Sequence, residues 1–563
     1  MNALKTRAWT ITRLTSRKTN NGLFVHTSKR LLRTMKPQPK GQYRLYPKAK
    51  LLNYDTTKKA SLITGASSLV LFLSHLLFEV EEEKNGSVSV KEVMSHNKIN
   101  DCWIVIDGNV YDVTLFLSQH PGGVARIMEF AGKDATAKFH QMHSSATLEK
   151  MKDHLIYIGK LSGAFENELS EEEIRIMEQK AKIPPLSKIF CLSDFEGVAK
   201  KVLPKSTFFY YATGSSDEYT LRENHYAYSR VFFRPKILQD IEEVTTETEF
   251  LGTKVNLPIY ITAFAGSKLA HPLGELNLQA AAYKANVMQM VPKQNSYTYE
   301  EFFSRVPDDQ NQWLQFHFDT QEELDNLDNW VKKAGTLPSV KGLFLNVDLA
   351  DIGNREKDSR QRAATAGSEY LDEMTDNKFG SHPKITWRTI ENVIKNTNLP
   401  VALKGVQRGE DVVLAAQKGV KAVILSNHGG RQLDFSRPPL EVLVEAKQML
   451  KEKKLDDKIE IYLDGGVRRG SDIIKALCLG AKGVGLGRPF LYAMAGYGED
   501  GVSHLINILQ AEIENNMRLL GVDKIEDLNE TLVDCKSLSF KNPRINDSLY
   551  DEAYEPLQFP KFQ

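Results

Sequence analysis

Cysteine is scarce in this sequence. Cys102, Cys191, Cys478 and Cys535 are scattered over 563 residues without a Cys-x-x-Cys pair, which excludes a disulfide framework and a structural zinc site. An excess of one charge is also missing. Lys and Arg number 73 against 72 Asp and Glu, a net charge of +1, and this argues against an extended nucleic-acid footprint. No Gly-x-Gly-x-x-Gly opens a strand–helix unit, so a nicotinamide-binding fold is disfavoured.

One absence is local. Met1 to Tyr54 contains no Asp or Glu, while Lys and Arg recur with Ser, Thr and Asn, the composition of a mitochondrial transit peptide. A basic nucleic-acid arm is the alternative reading of such a stretch. The apolar segment Leu62–Phe78 follows, between Lys58-Lys59 and the acidic Glu79, Glu81, Glu82 and Glu83, at the lower limit of a membrane span. Residues 1–80 are therefore expected to target the chain to mitochondria and sort it at the inner membrane, with the rest facing the intermembrane space. Cleavage after the apolar run would release a soluble protein; retention would anchor it.

What remains is long enough for several units. In Asp101–Val113 two strand-like runs meet at Asp107-Gly108-Asn109, a β-hairpin signal. Phe116-Leu117-Ser118-Gln119-His120-Pro121-Gly122-Gly123 comes next, and later Phe139-His140-Gln141-Met142-His143-Ser144. These residues resemble the cytochrome b5-like heme module, in which a His-Pro-Gly-Gly loop and a later His-Ser supply two axial imidazoles. The resemblance implies a small α+β domain over residues 87–162, with heme b held by His120 and a second histidine. His140 competes with His143 for that place, and the spacing and Ser144 of the family pattern favour His143. Two neutral imidazoles on facing helices leave an iron no open position, so it can only pass electrons. Residues 163–185 carry Glu171-Glu172-Glu173 in a helical pattern that stops at Pro184-Pro185, expected to be a hinge-like helix on which the module swings.

From residue 186 to 540 apolar strand-like runs alternate with helical stretches: Leu257–Phe264, Ala285–Val291, Trp313–Phe318, Val340–Asp348, Leu399–Gly405, Lys421–Asn427, Ile459–Gly466 and Ala481–Arg488. Eight such units predict an α/β fold, a (β/α)8 TIM barrel rather than a doubly wound sheet; residues 541–563 form a tail. Polar groups gather at the strand ends, where such barrels build active sites. Asp348 ends the fourth run and Lys404-Gly405 the fifth; His428 and Arg431 follow the sixth. Asp464-Gly465-Gly466-Val467-Arg468-Arg469-Gly470 and Gly485-Leu486-Gly487-Arg488 end the last two, the expected place for a phosphate and one that suits a flavin mononucleotide.

Ser426–Asp434, Asp464–Gly470 and Gly485–Arg488 resemble the FMN-dependent 2-hydroxy acid dehydrogenase and oxidase family. Tyr210-Tyr211, Arg222–His225 and Gly353–Asp358 belong to the same likeness, which runs from about Ser87 to the C-terminus. It implies that His428 is the general base, held and made more basic by Asp348. Arg431, through a two-pronged pair, and Arg355 would clamp a substrate carboxylate, with the Tyr210 hydroxyl beside them. Lys404 would stabilise charge at the flavin N1 and O2. Asp464, Gly465, Gly466, Arg468, Gly487 and Arg488 would hold ribityl and phosphate, and Ala265, Pro292, Gln315 and Asn346 would line the flavin. The implied reaction oxidises an L-2-hydroxy acid, L-lactate to pyruvate first among them, through FMN and heme b to cytochrome c. The alternatives are an oxygen-using oxidase and a weakened flavin and heme electron-transfer paralogue. A homo-oligomer and possible attachment to the inner membrane complete the expectation, with no nucleic-acid partner.

Some positions depart from the family pattern. His317 stands where a tyrosine reaches the substrate hydroxyl, exchanging a phenol for an imidazole that titrates near neutrality. Pro292-Lys293-Gln294-Asn295 replaces a Ser/Thr-rich stretch, Phe264 a small threonine and Asn346 another. The loop Asp358 to Phe379 is short. Gln294, if directed inward, would favour a side chain more polar than the methyl of lactate.

Overall fold

The apolar run Cys102–Ile106, with Cys102, Ile104 and Ile106 buried on one face and Val105 on the other, dictates a strand packed on both faces. In the computed structural model, which describes residues 87–120, 124–143, 147, 148, 151, 154–165, 170–318, 320–366 and 384–540, this strand lies in a five-stranded sheet. Its members are β1 (Val88–Ser89), β2 (Asn97–Lys98), β3 (Asp101–Ile106), β4 (Asn109–Asp112) and β5 (Ile156–Ser162), in the order β1-β5-β4-β3-β2. The hairpin expected from the sequence is β3–β4, antiparallel with Val105 opposite Val110, turning at Asp107 (φ 52°) and Gly108 (φ 73°), the left-handed pair a tight two-residue turn needs. The readings of residues 1–80, Pro121-Gly122-Gly123, Ser144 and 541–563 fall outside the described residues, as does part of the Asp358–Phe379 loop. Among the described residues no helix is long and apolar enough to cross a membrane.

The connector contains the helix expected of it. Its helix, Glu171–Lys180, opens with a capping box between Ser170 and Glu173. Arg175 donates to the carbonyls of Lys201 (2.7 Å) and Leu203 (2.8 Å), and its partner Glu172 accepts from the Lys205 backbone N–H at 2.8 Å. These carbonyls end the helix Leu192–Val202 and have no partner within it, so a guanidinium satisfies them well. The connecting helix is thereby fastened to the larger domain.

That domain adds β6 (Phe232–Phe233), the hairpin β7 (Thr248–Phe250) and β8 (Thr253–Val255), and then β9 (Ile259–Ile261), β10 (Met288–Val291), β11 (Gln312–Phe316), β12 (Val340–Asn346), β13 (Val401–Val406), β14 (Ala422–Leu425), β15 (Glu460–Asp464) and β16 (Gly483–Leu486); β17 (Val533–Asp534) pairs back with β6. Strands β9 to β16 close into a parallel barrel. Each of the eight expected runs coincides with a strand; six contain it whole, and β11 and β13 each reach one residue beyond the run. Ala285 still belongs to the helix Glu275–Ala285, which ends at Asn286 in the left-handed region.

Large side chains fill the barrel. Trp313 lies 4.4 Å from the Phe344 ring, 5.1 Å from Tyr462 and 5.2 Å from Tyr260, and Met288, Met290 and Ile424 join the same buried cluster. The β7–β8 hairpin closes the N-terminal end: Phe250 enters the cluster, and the Leu251 N–H donates to Glu460, the first residue of β15, at 3.0 Å. With the interior packed and one end shut, ligands have only the C-terminal mouth. Trp313→Ala should destabilise the barrel by about 3–5 kcal/mol, measured by urea unfolding; a loss under about 1 kcal/mol would contradict this packing.

Candidate active site

The loop leaving β14 is coiled by three successive left-handed residues, His428 (φ 58°), Gly429 (φ 65°) and Gly430 (φ 78°). For His428 this conformation costs about 1–2 kcal/mol, and local hydrogen bonds hold it. The His428 N–H donates to Ser426 Oγ at 3.1 Å, and the Gly430 N–H to Asn427 Oδ1 at 3.0 Å. The imidazole is thereby turned so that its Nδ1 lies 3.1 Å from Asp348 Oδ2. Asp348 can come this near because Gly405, at a register shift between β13 and β14 and at φ 104°, has no Cβ; one would fall 2.5 Å from Asp348 Cγ.

Burial pulls the His428 imidazole below its ordinary range. Asp348 opposes this, and Lys404 and Arg355 add to it. Asp348 does favour the charged ring, as expected, but desolvation and two cations outweigh it and favour the neutral imidazole. Burial opposes the Asp348 charge as well, yet His428 and Lys404 hold its carboxyl below the usual range. An ionised carboxylate can only accept a hydrogen bond, so the ring proton sits on Nδ1 and Nε2 is left basic.

Arginines concentrate at the same mouth. Burial, then Arg355 and Arg488, pull the Arg431 guanidinium down to about 9, a field that an anion would relieve. The expected two-pronged clamp is limited, because Arg431 Nη1 already donates to the carbonyls of Tyr210 (2.7 Å), Thr213 (3.0 Å) and Tyr211 (3.2 Å). The Nε and Nη2 edge is left to offer parallel donors. The Arg431 guanidinium also lies 5.4 Å from the centroid of the Tyr210 ring.

The residues expected around a flavin gather on neighbouring strand ends. Lys404 Nζ is 3.4 Å from Asp464 Oδ2; burial opposes its charge, but Asp464 and Asp348 raise its pKa above the ordinary lysine value. Asp464 also accepts from Ser426 Oγ at 2.5 Å and from Thr262 Oγ1 at 3.2 Å. Gln315 accepts from the Lys293 N–H at 3.4 Å, and its Nε2 lies 3.5 Å from His317 Nδ1. Pro292 is buried after β10, and the Ala265 carbonyl accepts from the Tyr211 hydroxyl at 3.0 Å. Gly465 and Gly466 follow β15, and Gly487 precedes the helix Arg488–Leu520, whose N-terminus suits an anion.

Two arginines expected at a phosphate are held by protein groups. Arg468 pairs with buried Glu196 from the helix Leu192–Val202. Arg488 donates to the carbonyls of Tyr211 (2.8 Å), Gly429 (3.0 Å) and Thr213 (3.2 Å). Segments that precede the first barrel strand bring acceptors to both, Glu196 to Arg468 and the Tyr211 and Thr213 carbonyls to Arg488. Gln294 is exposed, which removes the basis for an inward-facing amide. The mouth nevertheless fits a flavin. Asn346 Oδ1 and Asp348 Oδ1 are buried without a hydrogen-bond partner among the described residues, and an isoalloxazine ring carries an N–H to offer.

In the front module His120 ends the short 3-10 helix Thr114–Gln119, and His143 ends the helix Thr136–Met142. Both stand just past these helices, at their C-caps. Their ring centroids are 6.1 Å apart, a separation that a metal–nitrogen bond of about 2 Å on each side plus the two ring depths accounts for. Burial, then His120, pull His143 down to about 4, keeping it neutral as a ligand must be. His140 instead turns to Asp107, 2.9 Å away. The geometry therefore fits a heme iron between His120 and His143.

Some residues of the site went unread in the sequence. Asn427 and Asn224 bond each other reciprocally at 2.7 and 2.8 Å. Gln432 donates to the carbonyls of Asp348 and Asp351, both at 2.7 Å, tying the base's loop to that of its partner. Both asparagines sit in motifs already singled out, but nothing local shows that segments 203 residues apart in the chain meet.

A family profile for FMN-dependent dehydrogenases matches residues 199–535, and one for cytochrome b5-like heme/steroid binding domains matches residues 89–162. The chain belongs to the FMN-dependent dehydrogenase family. This FMN-dependent dehydrogenase is 44% identical to the L-lactate dehydrogenase (cytochrome) of Wickerhamomyces anomalus, over 90% of this chain and 91% of that one. To the enzyme of the same description in Saccharomyces cerevisiae it is 41% identical, over 92% and 94%. Human 2-hydroxyacid oxidase 1 is 33% identical over 62% of this chain and 97% of its own. Among solved structures, a double mutant of flavocytochrome b2 with pyruvate bound matches with a TM-score of 0.62 at 44% identity, covering 70% of this chain and all of that one.

With His428 as the base, its lowered pKa should place the acid limb of the pH profile below the ordinary imidazole value of about 6.5. Since Asp348 favours the protonated ring, Asp348→Asn should move that limb to still lower pH while slowing the reaction. Rates of flavin bleaching across pH read this directly, and an upward shift in the variant would refute the assigned contact.

Proposed function

We propose that this dehydrogenase oxidises an L-2-hydroxy acid, L-lactate to pyruvate first among them, and passes the electrons through heme b to cytochrome c. The observation that carries the reading is His428, with Nδ1 held 3.1 Å from Asp348, at the same mouth as Arg431 and Arg355. The arginines draw and orient the substrate carboxylate, and Nε2 of His428 takes the proton from its hydroxyl. FMN supplies the two-electron acceptor when bound. Lys404, kept charged by Asp464 and Asp348, neutralises negative charge gathering on that side of the site. Asp348 stays ionised and stabilises the imidazolium.

Two relatives that span nearly the whole chain are L-lactate dehydrogenases of the cytochrome type, whereas the human oxidase spans 62% of it. The heme-binding module thus favours an electron carrier over oxygen as acceptor. His317, where the family pattern has tyrosine, favours a second reading with a hydroxy acid other than lactate. Delivery to the mitochondrial intermembrane space is part of the proposal and rests on the acid-free stretch Met1–Tyr54 and the apolar run Leu62–Phe78.

Cytochrome c reduction with lactate, glycolate, mandelate and longer 2-hydroxy acids, with oxygen uptake followed in parallel, tests the reading. Turnover of lactate with little oxygen uptake is expected. No turnover of any substrate by protein with full flavin and heme spectra would sink the proposal. His428→Gln should slow substrate-driven flavin bleaching by about 10²–10⁴-fold with FMN still bound. His120→Ala should spare that bleaching and stop cytochrome c reduction.

A further inference from the structure

The heme-binding module touches the barrel mouth through a side chain that neither cofactor site uses. Arg126, on the helix Val124–Met128, places Nη2 3.8 Å from Oδ2 of Asp358 in the helix Glu356–Ala366 that follows β12. Its guanidinium lies 5.2 Å from the centroid of the Tyr210 ring, and that of Arg431 lies 5.4 Å from the same ring. The contact is largely dry: the Arg126 side chain is 15% exposed and that of Asp358 0%.

A second contact stands nearby. Met142, immediately before His143, brings its Sδ to 3.5 Å from where a Cβ on Gly266 would stand. Gly266 adopts φ 66°, so a side chain there would strain the backbone. The Gly266 carbonyl accepts from the Tyr211 hydroxyl at 2.7 Å. Both contacts of the module therefore reach the Tyr210-Tyr211 pair, one directly and one through a backbone carbonyl.

We infer that Arg126 is the positioning residue that seats the heme-binding module on the barrel mouth, and that the shared Tyr210 ring ties this seating to the substrate-side Arg431. A planar guanidinium suits the place, since it can face a ring and a carboxylate together. Lysine keeps the charge without the plane; an apolar residue leaves the buried Asp358 without this counter-charge. Each substrate oxidised yields two electrons that leave singly by way of the heme, so the seat is crossed twice per turnover. This kinetic consequence rests on the function proposed above, whereas the contact does not.

The test compares Arg126→Ala and Arg126→Lys holoprotein with the unaltered chain, following flavin bleaching and heme reduction by stopped flow and backbone exchange by mass spectrometry. In Arg126→Ala, flavin bleaching should stay within about twofold while heme reduction slows about tenfold, the loss of a desolvated cation–ring contact. Arg126→Lys should recover most of that rate. Amides of Val124–Met128 and of Glu356–Gln361 should exchange several-fold faster in Arg126→Ala, reporting a loosened seat on both sides. Unchanged heme reduction and unchanged exchange would overturn the inference. Loss of heme from Arg126→Ala would overturn it as well, by placing Arg126 in the module's own fold. If no 2-hydroxy acid is turned over, the proposed function fails, and the exchange measurement still decides the seat.

Discussion

Buried charge at the barrel mouth must be balanced within a few ångströms, and the architecture around it follows from that demand. Lys404 stands 3.4 Å from Asp464, and Asp348 stands 3.1 Å from His428; an ion at this depth without its counter-charge would cost several kcal/mol. The pairs bring four strand ends into one network, since Asp348 follows β12, Lys404 lies in β13, His428 follows β14 and Asp464 ends β15. Gly405 is obligatory because the Asp348 carboxylate occupies the space of its missing Cβ. The left-handed coil at His428 persists because Ser426 and Asn427 satisfy the backbone donors that it turns inward.

The rest of the domain makes this network possible. Trp313, Phe344, Tyr260 and Tyr462 fill the barrel, so the strand ends cannot collapse inward and the polar groups meet at one rim. Segments before the first barrel strand complete that rim. Tyr210, Tyr211 and Thr213 lend carbonyls to Arg431 and Arg488, and Glu196 neutralises Arg468. Desolvated guanidiniums need such acceptors, and the resulting rigidity keeps the Nε and Nη2 edge of Arg431 ready for a carboxylate.

Local pattern carried much of this. The eight apolar runs each mark a barrel strand to within a few residues, because a strand buried on both faces must be largely apolar. The β3–β4 hairpin was legible from Asp107-Gly108. His428, Asp348, Lys404 and Asp464 were legible as candidates because each lies at a strand end. The anchoring of the connecting helix was not legible, because Arg175 acts on carbonyls of Lys201 and Leu203 that its own segment does not reveal. Gln294 was considered for the pocket, yet it is exposed, since position along a loop does not set side-chain direction.

Taken alone, the sequence determined which chemistry the chain carries: an imidazole and its carboxylate, a set of arginines, two histidines fit for an iron, and the order of strands and helices that presents them. These depend on residue type and short-range spacing. Only the tertiary structure decided how they are used. Packing across the mouth set the His428 pKa below its ordinary value, gave Arg468 and Arg488 protein partners from distant segments, and brought Arg126 of one module onto Tyr210 of the other. Each of these outcomes depends on desolvation and on contacts between distant segments, quantities that exist only once the chain has closed on itself.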